Sequence, residues 1–264
     1  MANGSSIPTA KAARARFLRQ NPFPRPFTIG FYYREKMRAI HEITPEGEYS
    51  RVLELGGGQS GLTKLLFPDS TIVNLDFDFR LGLDPRNRQG GVQFVGGDAA
   101  VLPFAPESFD AITMFDVLEH VENDRRAVAE ALRVLRPGGL VLLSAPNMNW
   151  RYPFYRGLRR WLPAESRLMA EWGHVRRGYS VRQLQELFGS PCEAKYDFIN
   201  RATVVSHDLA FSKLPNAVRR LGCVLLWPLT WAGYALHGRS TEGTETASCW
   251  RKPRLSEEAH GGRA

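Results

Sequence analysis

Cysteine is scarce in this 264-residue chain, and the three present, Cys192, Cys223 and Cys249, are odd in number and far apart. No C-x-x-C pair and no nearby histidine spacing accompanies them. Neither a disulfide framework nor a zinc site is indicated, no metal is expected, and free thiols are the plain reading. A long uncharged apolar run is missing too: nothing reaches the roughly 18 residues expected of a membrane-spanning helix. The first twenty residues carry Lys11, Arg14, Arg16 and Arg19 with no apolar stretch behind them. That argues against a secretory signal and sets the expected compartment as the cytoplasm. Acidic side chains are the minority, 27 against 35 basic ones for a net charge of +8, and the shortage is uneven. Residues 51–150 hold 13 acidic and 9 basic side chains, whereas 1–50 hold 4 and 8, and 151–264 hold 10 and 18. Basic flanks around an acidic centre suit an anionic partner, such as a membrane surface, a phosphorylated substrate or nucleic acid; a solvated basic face explains them equally.

What is present is concentrated in Arg51-Val-Leu-Glu-Leu-Gly-Gly-Gly-Gln-Ser-Gly61. Val52, Leu53 and Leu55 make a buried strand. Gly56, Gly57 and Gly58 let the backbone turn sharply and approach a ligand, and Leu62 to Phe67 begin the helix that follows. Gly56, Gly58 and Gly61 also satisfy the dinucleotide pattern G-x-G-x-x-G, with Asp76 about 20 residues on. Glu54 speaks against a dinucleotide. A carboxylate two residues before the first glycine would face a pyrophosphate, whereas it suits a ligand carrying an amino group and a positive sulfonium, which favours S-adenosylmethionine.

Further motifs follow in order: Gly97-Asp98-Ala99, Phe109-Asp110-Ala111-Ile112, Val117-Leu118-Glu119-His120-Val121 and Leu135-Arg136-Pro137-Gly138-Gly139. Over residues 30 to 200 the chain resembles the class I S-adenosylmethionine-dependent methyltransferases, most closely the branch with quinone-biosynthesis and glycan-modifying enzymes. The resemblance implies an α/β fold with a doubly wound seven-stranded sheet, mostly parallel with an antiparallel last strand. It implies S-adenosyl-L-methionine as cofactor, held through Glu54, Gly56, Gly58, Asp76, Asp98, Ala99 and Asp116. Asp76 would accept the ribose hydroxyls and Asp98 the adenine amino group, while Asp116 to His120 would lie under the methyl donor. His120 is a candidate base, although in the family this histidine usually supports the loop through hydrogen bonds.

The organisation expected around that core is a flexible basic arm over 1–27, a methyltransferase domain over 28–253 and a disordered tail over 254–264. Pro22, Pro24 and Pro26 oppose a helix in the arm. Thr28 caps a helix through Ile43, on which Tyr32 or Tyr33 either closes the site or packs in the core. Strands are expected at Thr71–Leu75, Val92–Val95, Phe109–Phe115 and Leu140–Ser144, and residues 79–91 are poor helix. Asn123 caps a helix through Leu135, ended by Pro137-Gly138-Gly139. Residues 146–179 form a cap insertion in which Trp150, Tyr152, Phe154, Tyr155, Trp161 and Trp172 alternate with arginines, a pairing suited to an anionic or ring-bearing acceptor or to a small satellite core. His174 within it is the preferred candidate base, a structural hydrogen bonder being the alternative. Ser180 caps a helix over Val181 to Phe188. The last two strands, near Glu193–Ile199 and Ala247–Arg251, are separated by a hydrophobic helical insertion over 201–245. Its stretch Leu221 to Leu236 is uncharged, follows Arg219-Arg220 and is interrupted by Pro228. It reads as an interfacial membrane segment, a helix closing the sheet or a dimer seam.

The expected function is methyl transfer, chiefly to oxygen, on a small-molecule, lipid-linked or glycan acceptor. The site would lie in the cytoplasm, with a peripheral position on the inner face of an anionic membrane if the 221–236 segment docks there. A non-catalytic S-adenosylmethionine-binding protein and a dinucleotide-dependent oxidoreductase are the rivals. Nucleic acid is disfavoured, since Asp116-Val-Leu-Glu-His120 stands where an Asn-Pro-Pro-Tyr-like motif would be needed. Oligomeric state is not legible.

Overall fold

Alternation of side chains on apolar strands builds a core on each face of one sheet. The computed structural model describes residues 10–23, 29–160 and 162–254. Thr28, Pro24, Pro26, Trp161 and the tail from 255 on lie outside the described residues. Seven strands, β1 (Arg51–Leu55), β2 (Thr71–Asp76), β3 (Val92–Gly96), β4 (Phe109–Phe115), β5 (Leu135–Pro146), β6 (Cys192–Phe198) and β7 (Glu245–Arg251), are ordered β3-β2-β1-β4-β5-β7-β6. All neighbours pair parallel except β7, which runs antiparallel to both β5 and β6. On β1, Leu53 and Leu55 enter one core layer while Val52 enters the other. On β5, Val141 and Leu143 face the first layer, Leu140 and Leu142 the second. A strand buried on both faces therefore reads as a continuous apolar run, as β1 and β5 do in the sequence.

The first layer is covered by α4 (Asp124–Val134) and α6 (Val181–Phe188), the second by α2 (Ile29–Ile43) and α7 (Val204–Phe211). Asn123 caps α4 by accepting from the Arg126 N–H at 3.1 Å. Ser180 and Gln183 form a reciprocal capping box on α6, and Phe188 at its end stacks on Trp250 of β7 with ring centroids 4.9 Å apart. Residues 79–88 form two short 3-10 turns in place of a second long helix, as Gly82 and Pro85 favour.

Two expectations are corrected. The 1–27 arm is not irregular throughout: α1 (Ala10–Arg19) is helical, and its Phe17 and Leu18 are buried against Met37, Ile40 and Leu62. Burial of two large apolar groups outweighs the proline signals, which lie beyond the helix end. The Pro137-Gly138-Gly139 turn does not end α4, which stops at Val134; it belongs to β5, which begins at Leu135. There the pairing with β4 shifts register between Phe109 and Ala111, and Gly138 takes a left-handed φ of 78° inside the irregularity. A bulge absorbs the residues that helical reasoning assigns to a cap. Beyond β5 come a 3-10 turn at Arg156–Arg160, α5 (Glu165–Trp172) and the loop to α6; between β6 and β7 come α7, α8 (Asn216–Leu225) and α9 (Trp227–Leu236). Among the described residues no helix is long and apolar enough to cross a membrane.

Candidate active site

The turn after β1 sits at the C-terminal edge of the sheet, beside β4, where parallel strands present their loops to ligands. Gly56 and Gly58 adopt positive φ. A Cβ on Gly57 would fall 2.4 Å from the Glu54 carboxyl carbon, so this turn closes only over glycine. Below it Glu54 is buried and accepts from the Thr63 hydroxyl at 2.7 Å, and burial raises its pKa to about 7. The turn roofs a cavity of about 400 Å³ lined by Glu54, Gly56 to Ser60, Tyr33, Lys36, Leu81 and Asp116.

Of the expected cofactor residues, Glu54, Gly56, Gly58 and Asp116 line that cavity; Asp76, Asp98 and Ala99 are not among its lining residues. Asp76, at the end of β2, accepts the Gly58 N–H at 3.1 Å and the Asp78 N–H at 3.0 Å, so it braces the glycine turn from the side. Asp98 is exposed and caps its own turn through the Ala100 N–H at 2.8 Å. Ala99 packs against the first core layer.

Asp116 is the junction of the site. Its φ is 55°, a left-handed conformation that aspartate tolerates better than most residues. Its carboxylate accepts from the Tyr32 hydroxyl at 2.7 Å and the Ser144 hydroxyl at 2.7 Å, and it pairs with Lys36. Burial works to raise the Asp116 pKa, but the Lys36 ammonium and these hydrogen bonds outweigh it and hold the carboxyl below its usual range. Burial likewise works to lower the Lys36 pKa, and the Asp116 charge reverses that. Lys36 is absent from the sequence-derived site. Its signal is its place one turn beyond Tyr32 on the same face of α2.

A second cavity, of about 320 Å³, adjoins the first, and Tyr33 and Asp116 line both. Its walls combine rings (Tyr32, Trp150, Trp172, Phe211) with ionisable groups from four segments: Glu119 and His120 after β4, His174 after α5, His207 on α7 and Glu245 on β7. The structure thus brings both candidate bases together. Their rings meet edge to face with centroids 4.7 Å apart. His120 is exposed, and its Nδ1 donates to the Gly173 carbonyl at 3.2 Å. Burial, followed by the His120 charge, pushes the His174 pKa down to about 4, so this imidazole is neutral at pH 7. Burial also lowers His207 to about 3. Burial, then the charge of Asp116, raises Glu119 and Glu245 well above the usual carboxyl range. Glu119, His207 and Glu245 were not singled out from the sequence.

The arginines of the 146–179 cap do not line this cavity. Arg176 turns back to the chain, donating to the Leu118, Val121 and Glu122 carbonyls and the Tyr179 hydroxyl. Arg177 pairs with Glu165, and Arg156, Arg159 and Arg160 are exposed. The aromatic half of the expected pairing therefore reaches the second cavity and the cationic half does not.

Sheet order, the antiparallel seventh strand and a glycine turn opening on a cavity define a Rossmann-like α/β domain of the class I methyltransferase type. The comparisons agree: residues 53–143 match the family model Methyltransf_11, described as a methyltransferase domain. Over that segment the chain is similar to S-adenosylmethionine-dependent methyltransferases, and its sheet topology is that of the class I fold. It is 36% identical over 120 residues to the demethylmenaquinone methyltransferase of Renibacterium salmoninarum, covering 43% of this chain and 50% of that protein. It is 35% identical over 162 residues to the phthiotriol/phenolphthiotriol dimycocerosates methyltransferase 1 of Mycobacterium ulcerans, covering 58% and 53%. The chain thus spans about half the length of these curated relatives. Among solved structures, the N-methyltransferase NodS of Bradyrhizobium japonicum in complex with S-adenosyl-L-homocysteine superposes with a TM-score of 0.51 at 15% identity, over 93% of this chain and 99% of that one. At that identity the likeness is one of fold.

S-adenosylmethionine is the cofactor this family implies, and the residues fit it. The glycine turn leaves Gly58 with nothing within 4 Å of where a Cβ would stand. The cavity beneath carries carboxylates suited to an amino group and a sulfonium, and among the described residues lining it one ammonium, Lys36, which is already paired.

Proposed function

We propose that the chain moves the methyl group of S-adenosylmethionine to an oxygen of an uncharged, ring-bearing or lipid-linked acceptor. The observation that carries this reading is the pair of adjoining cavities sharing Tyr33 and Asp116. A donor under the glycine turn and an acceptor among the rings would then meet end to end, and alignment of acceptor, methyl and sulfur supplies most of what such a displacement needs. The cofactor supplies a methyl group on a good leaving group. The chain's own residues bind the two partners, exclude water with Tyr32, Tyr33, Trp150 and Trp172, and hold a neutral imidazole, His174, at the acceptor side to take a hydroxyl proton. A cavity lined by acids and, among the described residues, by no arginine disfavours an anionic reacting group. The acceptors in the names of the two relatives, demethylmenaquinone and phthiotriol dimycocerosates, accord with a lipid acceptor of this kind.

Calorimetry with S-adenosyl-L-homocysteine tests the donor side. Asp76→Ala removes the brace of the glycine turn and the proposed partner of the ribose hydroxyls, and should weaken binding by about 1.5–3 kcal/mol, roughly 10- to 150-fold. Unchanged affinity in that variant, or preference for a nicotinamide dinucleotide, would remove the assignment. Transfer of labelled methyl to a lipid extract separates an enzyme from a protein that only binds the cofactor.

We further propose that the acceptor is met at an anionic membrane surface. Helices α8 and α9 bury Cys223, Thr230 and Tyr234 against the domain, yet leave Leu221, Leu225, Leu229, Trp231 and Leu236 exposed, Leu225 at 71% and Leu236 at 84%. Arg220, beside this face, is exposed. Basic groups near an anionic leaflet contribute about 1 kcal/mol each and inserted apolar groups about 0.8 kcal/mol per CH₂, enough for reversible docking. Trp227 packs edge-on against Phe31, so its substitution would test packing. Leu225→Asp with Leu229→Asp is the cleaner pair. The wild type should co-sediment with phosphatidylserine vesicles at low salt and the double variant should not, with cofactor affinity equal in both. A wild type left in the supernatant would end the membrane reading.

A further inference from the structure

The acceptor cavity contains a constellation that proton transfer alone does not account for. Glu119 and His120 are adjacent in the 3-10 turn after β4, and His174 follows α5; their ligand-capable atoms all lie within 4.8 Å of one another. Glu119 is fully buried, and neither of its carboxylate oxygens has a hydrogen-bond partner among the other described residues; the buried Nδ1 of His174 also has none. An unpartnered buried carboxylate is costly, and native structures keep one where something else satisfies it. The nearby cations are engaged elsewhere, Lys36 with Asp116 and Arg176 with backbone carbonyls.

The backbone holds the three groups in place. The Val175 N–H donates to the Glu119 carbonyl at 2.9 Å, clipping one loop to the other. His120 Nδ1 faces a carbonyl, that of Gly173, and must therefore carry its proton, which leaves Nε2 with a free lone pair. Metal-binding imidazoles are oriented in this way, one ring nitrogen donating to a backbone carbonyl while the other ligates.

We propose that Glu119, His120 and His174 bind one divalent transition-metal ion on the acceptor side of the site. Two imidazoles and one carboxylate suit zinc, manganese or iron, and are a poor set for magnesium or calcium, which prefer oxygen. Three protein ligands leave coordination positions open toward the cavity, where an acceptor oxygen can sit and be held near the methyl donor. A neutral imidazole has one lone pair, so His174 serves as the proton acceptor only in the ion-free chain and as a ligand when the ion is bound; the ion's role in catalysis rests on the methyl-transfer reading, and its binding does not.

The test uses the full chain stripped with a chelator and dialysed. Manganese binding followed by electron paramagnetic resonance, and zinc binding by calorimetry, should each give one ion per chain. Glu119→Gln is isosteric, and His174→Gln alters a half-buried side chain; each should weaken the ion by more than about tenfold, since losing even an outer partner of a ligand costs 10- to 100-fold. Affinity for S-adenosyl-L-homocysteine and the thermal midpoint should stay those of the wild type, which separates this proposal from the cofactor assignment. Absence of stoichiometric binding in the wild type, equal affinity in both variants, or displacement of manganese by an equal concentration of magnesium would overturn it.

Discussion

Asp116→Asn is expected to lower the thermal midpoint by roughly 6–12 °C, because it leaves the buried Lys36 ammonium without its counter-charge. Removing one member of a buried ion pair costs about 3–5 kcal/mol. The low end applies here, since the Lys36 side chain is 4% exposed but Asp116 keeps 25%. About 3 kcal/mol corresponds to 2–4 °C per kcal/mol in a domain of this size. Asparagine keeps the volume and tolerates the left-handed backbone at this position, so the change isolates the charge. In a double-mutant cycle, Lys36→Met with Asp116→Asn should recover most of the loss. If the double variant is no more stable than the single one, the pair is not what holds this junction.

The pH dependence of the same difference follows from the two shifts. Asp116, depressed in the fold, contributes fully above its unfolded value near 3.9 and loses that contribution as pH falls through its folded value. Lys36, raised in the fold, contributes fully below its unfolded value near 10.4 and loses it as pH rises through its folded value. The contribution of this ion pair to the gap between wild type and Asp116→Asn should therefore be flat from about pH 5 to 9 and narrow on both sides. Glu54 and Glu35, raised by burial to about 7, act with the opposite sign: each favours the native state while protonated, so stability declines as pH climbs from about 4.3 through 7. Because both proteins carry these acids, their slope cancels in the comparison.

The glycine-turn cavity is legible in the sequence and the ring-lined cavity beside it is not, for a physical reason. The glycine turn and the Ser180 cap are set by interactions a few residues long, and Asp76 by its place at the end of the next strand, so their spacing survives in one dimension. Glu54 is readable by its place before the glycines, although its hydrogen-bond partner, Thr63, comes from the helix after the turn. The ring-lined cavity takes Tyr32 from α2, Glu119 from the exit of β4, His174 from the cap, His207 from α7 and Glu245 from β7. Only the antiparallel return of β7 between β5 and β6 carries Glu245 to that edge. No local pattern announces that meeting. The arginines of the cap misled for the related reason that composition does not fix direction: Arg176 lies within three residues of the cavity-lining His174, yet it bonds to carbonyls behind the wall.

Loss of the His174 imidazole should cost more in rate than any other single change on the acceptor wall. His174→Ala is expected to lower turnover by about 10²–10⁴ at pH 7.5, the usual range for a group that handles a proton in the transition state, while affinity for S-adenosyl-L-homocysteine stays that of the wild type. Affinity is the informative control, since His174 does not line the cofactor cavity. The pH profile makes the assignment specific. With burial holding its pKa at about 4, His174 is unprotonated throughout the neutral range, so at saturating cofactor, which removes the titration of Glu54 from the profile, wild-type turnover should show no acid limb near the ordinary histidine value of about 6.5 and should fall only toward pH 4. A limb near 6.5 would assign the proton to another group, and a parallel loss of thermal stability and cofactor binding in His174→Ala would make the residue structural. Because Trp150 and Trp172 pack their rings within 6.1 and 5.5 Å of this imidazole, a more open pocket should restore its basicity: Trp172→Ala should move the acid limb of turnover upward in pH while leaving cofactor affinity alone.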